Sequence, residues 1–285
     1  MSLIWGLTWA AIKIGLAAAP PLFLAAARYL IAAAVLAFLV CGDRSAFVEG
    51  RAPRTLLTAL LVNVCTHGLL FWGMQHVASG LAGLINLALI PVMLFALAAL
   101  TGEQRAGWRH ALALAIGCAG LVGLFWTRLR DGGADGLGMA AVVAATACYC
   151  IGSILARPLI GPVRPLAMTF AQAATGGAVL LALSLALEPV TGATLAGLAM
   201  PRVIASLLVL SLLGTIIAYT IYLVLIREWG TVRAGLYAFV SPIVALAIGA
   251  GLFGEAIGWP EISGALLLLT AAAIALAPPR ETGSG

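Results

Sequence analysis

Charge is what this sequence has least of. Asp, Glu, Lys and Arg make up 9% of its 285 residues, where an average soluble domain carries roughly 25%. A water-soluble surface is thereby excluded, because the 63% of positions that are hydrophobic would have to cover the outside as well as fill the inside. Lysine is nearly missing: Lys13 is the sole example, so a retinal-type pigment, which wants a Schiff-base lysine in a late span, is excluded. Paired CxxC spacing is absent among Cys41, Cys65, Cys118, Cys148 and Cys150, which read as small buried hydrophobes and not as metal ligands. HExxH and GxSxG motifs and an embedded Asp pair are lacking too, which argues against an intramembrane enzyme, and no cofactor is expected.

Carboxylates are also missing from the apolar runs. Asp43, Glu49, Glu103, Asp131, Asp135, Glu188, Glu228, Glu255, Glu261 and Glu281 all fall in loops or at run ends. A membrane-embedded carboxylate is the usual proton or cation relay. Its absence favours facilitated diffusion or exchange over carboxylate-driven antiport, and disfavours dibasic drugs as cargo.

What is present is a series of apolar runs. Cut at Pro, Gly and charged clusters, they span about 2–18, 21–41, 55–74, 78–100, 106–126, 137–156, 165–187, 202–226, 231–253 and 259–277. Each approaches the ~20 residues that cross a bilayer. The divisions at Pro20-Pro21 and Gln75-His76 are short enough to be tight hairpins. The first run lacks a positive n-region and a small-residue cleavage site, so it reads as a retained span.

Positive charge sorts by side. With the N-terminus in the cytoplasm, the inner segments hold Arg44, Arg51, Arg54, Arg105, Arg109, Arg157, Arg164, Arg227, Arg233 and Arg280, and the outer ones Arg128, Arg130 and Arg202. Such a bias places both termini in the cytoplasm. The net charge of +5 is spread through these short loops and forms no patch or helical stripe, which argues against nucleic acid as a partner. Trp72, Trp108, Trp126, Trp229 and Trp259 fall at span ends, where indole rings anchor at the membrane interface.

The second half repeats the first. Pro91 precedes Gly102-Glu103 as Pro242 precedes Gly254-Glu255, and Ala82-Gly83-Leu84 matches Ala234-Gly235-Leu236 at the same spacing of 152 as the Gly-Glu pairs. Lys13 and Pro21 fall on Arg157 and Pro165 at a spacing of 144. Five spans per copy is an odd number, so the second copy enters the membrane from the opposite side. The expected architecture is therefore an all-α membrane protein of ten transmembrane helices, built as two inverted five-helix repeats over 1–127 and 137–279 with a short tail over 280–285. Inverted repeats place a pathway at their seam and allow alternating access.

Trp5-Gly6, Lys13, Pro21 and Arg28 of "LAAARYLIAAAVL", with "ALIPVMLFALAALTGEQ" and "AFVSPIVALAIGAGLFGEAI", resemble the EamA-type branch of the drug/metabolite transporter superfamily over nearly the whole chain. The resemblance implies ten helices, cytoplasmic termini and export of small metabolites across a bacterial inner membrane. It is nearest to the amino acid exporters, including those that handle aromatic ones. Gln172 stands where the first half has Arg28, and Tyr149 stands opposite Trp5, so the two walls of the pathway are chemically unequal.

Polar and aromatic residues within spans are the pathway candidates, since each is costly in lipid unless it faces protein or water. Trp5, Thr8 and Trp9 share the first span, with packing as the competing reading for the two indoles. Asn63, His67 and Phe71 recur every four residues on the third, and His67 either senses pH or caps a carbonyl. Asn86 precedes Pro91, while Tyr237 and Ser241 precede Pro242; the two prolines are expected to kink their helices and free the carbonyls of Leu87 and Ala238. Tyr149 and Ser153 on the sixth span, and Tyr219 and Tyr222 on the eighth, complete the set. Arg28 reads first as a structural charge holding helix ends and second as a ligand for a substrate carboxylate. Gly117, Gly120 and Gly123 read as a close-packing stripe. The expected partners are an amino-acid-like small molecule and membrane lipid, a monomer sufficing. Proton-coupled drug or metabolite efflux and a small-solute channel are the alternatives, and saturable counterflow separates a carrier from a pore.

Overall fold

A computed structural model describes residues 1–40, 43, 45–47, 50–100, 108, 112–113, 115–120, 122–123, 136–159, 161–234 and 237–276. Its regular elements are helical throughout these residues, as lipid requires of a chain whose every backbone N–H and C=O must find an internal partner. Five of the described helices are long and apolar enough to cross a membrane: Pro21–Val40, Ala52–Gly73, Gly136–Leu159, Pro165–Leu187 and Pro201–Leu225. Shorter apolar helices cover Leu3–Leu16, Ser79–Leu94 and Val244–Phe253. The tenth expected span is helical over Trp259–Leu276, and the described residues of the fifth are helical as well.

The two short divisions are tight turns. The first helix stops at Leu16 and the second starts at Pro21, whose missing N–H costs nothing at a helix start. Gly73 and Ser79 bound the other turn. One boundary differs from the sequence reading: the eighth helix runs on to Ala234 and the ninth begins at Tyr237. Arg227 and Glu228, half-exposed and 3.2 Å apart as an ion pair, are good helix formers that carry the helix past the end of its apolar run. Pro91 and Pro242 lie inside continuous helices, Ser79–Leu100 and Tyr237–Phe253, and their side chains lie outside the described residues.

The third and eighth spans each contain a π-helical segment, Leu60–Cys65 and Val209–Ala218. The spacing of 152 read from the sequence carries 60–65 onto 212–217, inside the second segment. A threonine hydroxyl donates to a carbonyl of each segment five residues back: Thr66, just after the first segment, to Leu61 at 2.8 Å, and Thr215, within the second, to Leu210 at 2.9 Å. Such hydroxyls satisfy carbonyls that the wider turn leaves without an α-helical partner, and π segments of this kind cluster at functional sites.

Packing runs largely between the halves. The second span lies along the seventh, the ninth along the fourth and first, and the third along the sixth. Small residues permit these approaches. A Cβ on Gly177 of the seventh span would come within 3.1 Å of the Leu30 backbone nitrogen on the second. Gly117 likewise sits against Val92 and Ala271, whereas a Cβ on Gly123 would meet nothing within 4 Å, so the expected packing stripe does not extend there. Cys118 is exposed and departs from the buried-cysteine reading: on a helix facing lipid, an apolar thiol needs no burial in protein. Trp72, Trp108 and Trp259 are exposed at span ends as interface anchors require, while Trp126 and the Trp229 side chain lie outside the described residues.

Carboxylates tie the helix ends together where the first span finishes. Glu255, just after the left-handed Gly254 that ends the ninth span, accepts from the Ser79 N–H at 3.0 Å, the Ser79 hydroxyl at 2.7 Å and the Gly80 N–H at 2.8 Å, and pairs with Lys13. The Lys13 ammonium also lies 4.2 Å from the centroid of the Phe253 ring. Lys13, the single lysine of the chain, is thus the partner of a helix-capping carboxylate. Burial pushes the Glu255 carboxyl up, but the hydrogen bonds from Lys13, the Ser79 hydroxyl and the Gly80 and Ser79 N–H groups outweigh it and hold it below the usual carboxylate range. Glu188 similarly accepts from the N–H groups of Leu22 and Phe23 at the start of the second span. At the opposite end, Arg51 donates to the Pro162 carbonyl at 3.4 Å and Arg164 lies 3.6 Å from Asp43.

Candidate functional site

Seven spans surround a central cavity between the halves. Its lining is Trp5, Thr8, Trp9 and Ile12 from the first span, Arg28 and Tyr29 from the second, Val62, Asn63, Thr66, His67 and Leu70 from the third, and Asn86, Leu87 and Ile90 from the fourth. The second half supplies Tyr149, Thr169, Gln172, Gly214, Thr215 and Tyr219. About 100 Å³ is open to the centres of water molecules, room for several waters where ~10–15 Å³ holds one. Apolar walls with a few convergent polar groups are what a small-molecule site needs.

Of the residues the sequence nominated, Trp5, Thr8, Trp9, Asn63, His67, Asn86, Tyr149 and Tyr219 line this cavity. Four others do not. Phe71 is fully buried behind His67, with ring centroids 5.9 Å apart. Tyr222 packs behind Trp5 at 5.5 Å and Tyr219 at 6.2 Å. Ser153 turns its hydroxyl back to the Tyr149 carbonyl at 2.7 Å, and Ser241 is fully buried where the ninth span passes Gly6 of the first. Helical periodicity puts these residues on the right face but does not say how many layers stand between that face and the cavity. The side chain of Tyr237 lies outside the described residues.

Tyr29, Gln172 and a set of threonines are polar lining residues that the sequence reading did not single out, and Arg28, read second as a ligand for a substrate carboxylate, lines the cavity with them. The Arg28 Nε donates to Thr215 Oγ1 at 3.0 Å, and the guanidinium lies 4.9 Å from the Tyr29 ring centroid and 6.0 Å from that of Phe71. The cation–π contacts hold its orientation. Its backbone carbonyl accepts from Ser211, so the second span is pinned to the π segment of the eighth twice. Arg28 thus ties the second span to the eighth in mid-span and not at the helix ends, and its side chain also faces the cavity. The signal for Arg28 was its charge within a span, and for Gln172 its alignment with Arg28; threonine is too common in membrane helices to stand out.

Each half bridges its second and third spans by a side-chain hydrogen bond. Tyr29 OH lies 2.8 Å from His67 Nδ1 and 3.2 Å from Nε2, and the Val62 carbonyl lies 3.1 Å from Nδ1. A proton on Nδ1 satisfies the carbonyl and leaves Nε2 to accept the phenol. In the second half, Tyr219, which the repeat aligns with His67, donates to Gln172 Oε1 at 2.7 Å. Across the halves, Asn86 Nδ2 donates to Thr146 at 2.9 Å and Trp5 Nε1 to the Gly214 carbonyl at 3.4 Å. The buried Trp9 Nε1 and Asn63 Oδ1, both on cavity-lining residues, have no hydrogen-bond partner among the described residues. No carboxylate lines the cavity among the described residues.

Comparison with known proteins gives the family and the fold. The EamA-like transporter family matches residues 1–126 and again 136–277. An Escherichia coli protein named as the uncharacterized inner membrane transporter YedA is 30% identical over 262 residues, 89% of this chain and 80% of that one. A Salmonella typhimurium protein named as a probable amino-acid metabolite efflux pump is 28% identical over 274 residues, 93% of this chain and 89% of its own length. In fold, a solved crystal structure 19% identical superposes with a TM-score of 0.63, covering 96% of this chain and 93% of that one. Apolar spans, a cavity with convergent polar groups at their centre and two family matches in tandem lead to one conclusion: this chain is a membrane transporter and belongs to the EamA-like transporter family.

Proposed function

We propose that the chain exports small amino-acid-like metabolites, neutral and in part aromatic, across a bacterial inner membrane by facilitated diffusion or exchange. The observation that carries this reading is the central cavity, lined from both halves by indole, phenol and amide groups and by no described carboxylate. Indole and phenol faces receive aromatic and aliphatic side chains. The name of the Salmonella relative points the same way.

In this reading the halves are inverted repeats over 1–127 and 137–279, both termini are cytoplasmic, and rocking one half against the other opens the cavity to each side in turn. The Lys13, Ser79 and Glu255 cluster then lies on the outer side and parts when that side opens. The repeat assigns its inner counterpart to Arg157, Thr231 and Glu103, the last of which lies outside the described residues.

The test is counterflow of labelled neutral amino acids into preloaded proteoliposomes. Trp9→Ala and Tyr219→Ala should each slow it about two- to tenfold, the worth of an aromatic contact, with Tyr222→Ala weaker because it acts through Trp5. Rates unchanged in both Trp9→Ala and Tyr219→Ala would remove the cavity from the pathway. Linear, non-saturating flux would instead support a channel.

A further inference from the structure

Arg28 is the one described cation lining the cavity, and it has no anion among the described residues. Its side chain is buried, yet only Nε has a hydrogen-bond acceptor, the neutral Thr215 hydroxyl. Its other near contacts are the rings of Tyr29 and Phe71. The two terminal nitrogens of the fork thus have no acceptor among the described residues. A guanidinium is protonated at any working pH, and its fork matches the two oxygens of a carboxylate. Leaving it buried without an anion is costly, and that cost is relieved when a ligand brings one.

The surroundings keep that fork accessible. Gly214 faces it without a side chain; a Cβ there would lie 2.9 Å from Thr8 Cγ2 and 4.0 Å from an Arg28 terminal nitrogen. The unpartnered Trp9 Nε1 offers a neutral donor on the same cavity, and Asn63 Oδ1 an acceptor for a donor elsewhere on the ligand. One fixed positive charge balances one negative charge, which fits a monocarboxylate or a zwitterion better than a phosphate dianion.

Resting on the transporter reading of this cavity, we infer that Arg28 anchors the carboxylate of the cargo, so that the transported class consists of small solutes bearing one carboxylate group. Solutes without it, including amines and amides of the same shape, are rejected, because they leave the guanidinium buried and unpaired. Discrimination of this kind, resting on a buried polar group left without its partner, reaches ~10⁴–10⁵ in the best cases.

The experiment is competition against labelled leucine in counterflow, using L-leucine, 4-methyl-2-oxopentanoate, L-leucinamide and isopentylamine. Intrinsic tryptophan fluorescence gives a parallel binding measurement in the same panel. The two carboxylates are expected to compete, and the amide and amine to be weaker by at least ~tenfold. Arg28→Gln should remove the preference for the acids, while Arg28→Lys, which keeps the charge without the fork, retains part of it. Equal competition by leucinamide and leucine overturns the inference, as does an acid preference that survives in folded Arg28→Gln. Should that variant fail to fold, the wild-type panel decides alone. Exchange without carboxylate preference leaves the transporter reading standing and this inference lost. Arg28-dependent binding of acids without exchange does the reverse, and the absence of both exchange and acid binding overturns both.

Discussion

Gly83 shows how a single hydrogen atom shapes the cavity. A Cβ at this position would lie 2.7 Å from the Ala245 methyl and 3.1 Å from the Trp9 ring, so the fourth span, the ninth span and a cavity wall meet at one bare backbone position. Gly83→Val should displace the Trp9 indole, cost about 1–3 kcal/mol by overpacking and abolish most flux. Thermal unfolding in detergent together with counterflow checks this, and wild-type values in both would refute the packing argument. At this same scale the sequence was a partial guide. It marked Trp9, Asn63 and His67 because each is polar or aromatic where lipid tolerates neither without reason. It marked Phe71 and Tyr222 by the same rule, and both sit one layer behind the cavity. Depth depends on neighbours brought in from other spans, which helical spacing does not encode.

At the scale of the element, the ends of the spans are held by side chains from the other half. The Glu255 cap should lose about 0.5–2 kcal/mol in Glu255→Ala, the usual worth of a helix cap. The sign with pH follows from its depressed carboxyl. The stabilisation is present in full above the ordinary carboxylate range and is lost as pH falls through the lowered folded-state value. Melting temperatures of wild type and Glu255→Gln should therefore converge on acidification, and a difference that is constant or grows towards low pH would contradict the assignment. The π segments belong to this scale too. Nothing in "LLVNVC" or "VLSLLGTIIA" distinguishes a π turn from an α turn by composition. Only the threonine hydroxyls at Thr66 and Thr215 hint at carbonyls in need of a donor, and the fold decides which carbonyls they reach.

For the whole molecule, the arrangement of halves makes two predictions. Reporter fusions to the N- and C-termini should both read out as cytoplasmic, as the arginine distribution requires; a periplasmic signal from either would reverse the orientation and with it the side assigned to the Glu255 cluster. Flux should also depend weakly on an imposed proton gradient, since no carboxylate lines the cavity among the described residues. Strong acceleration by that gradient, lost in His67→Ala, would favour the proton-coupled alternative.

The sequence by itself determined the class, because so few charges in so apolar a chain leave no arrangement but one facing lipid, and because apolar length alone fixes where helices cross. It determined the family as well, through the Pro and Gly-Glu segments that recur in both halves. The tertiary structure decided which polar residues share one cavity, made Arg28 part of the wall of that cavity, and gave Lys13 its carboxylate. These depend on contacts between the second and eighth spans and between the first and ninth, residues some 190 to 240 positions apart. A local pattern records which face of a helix is apolar; it holds no record of which other helix that face will meet.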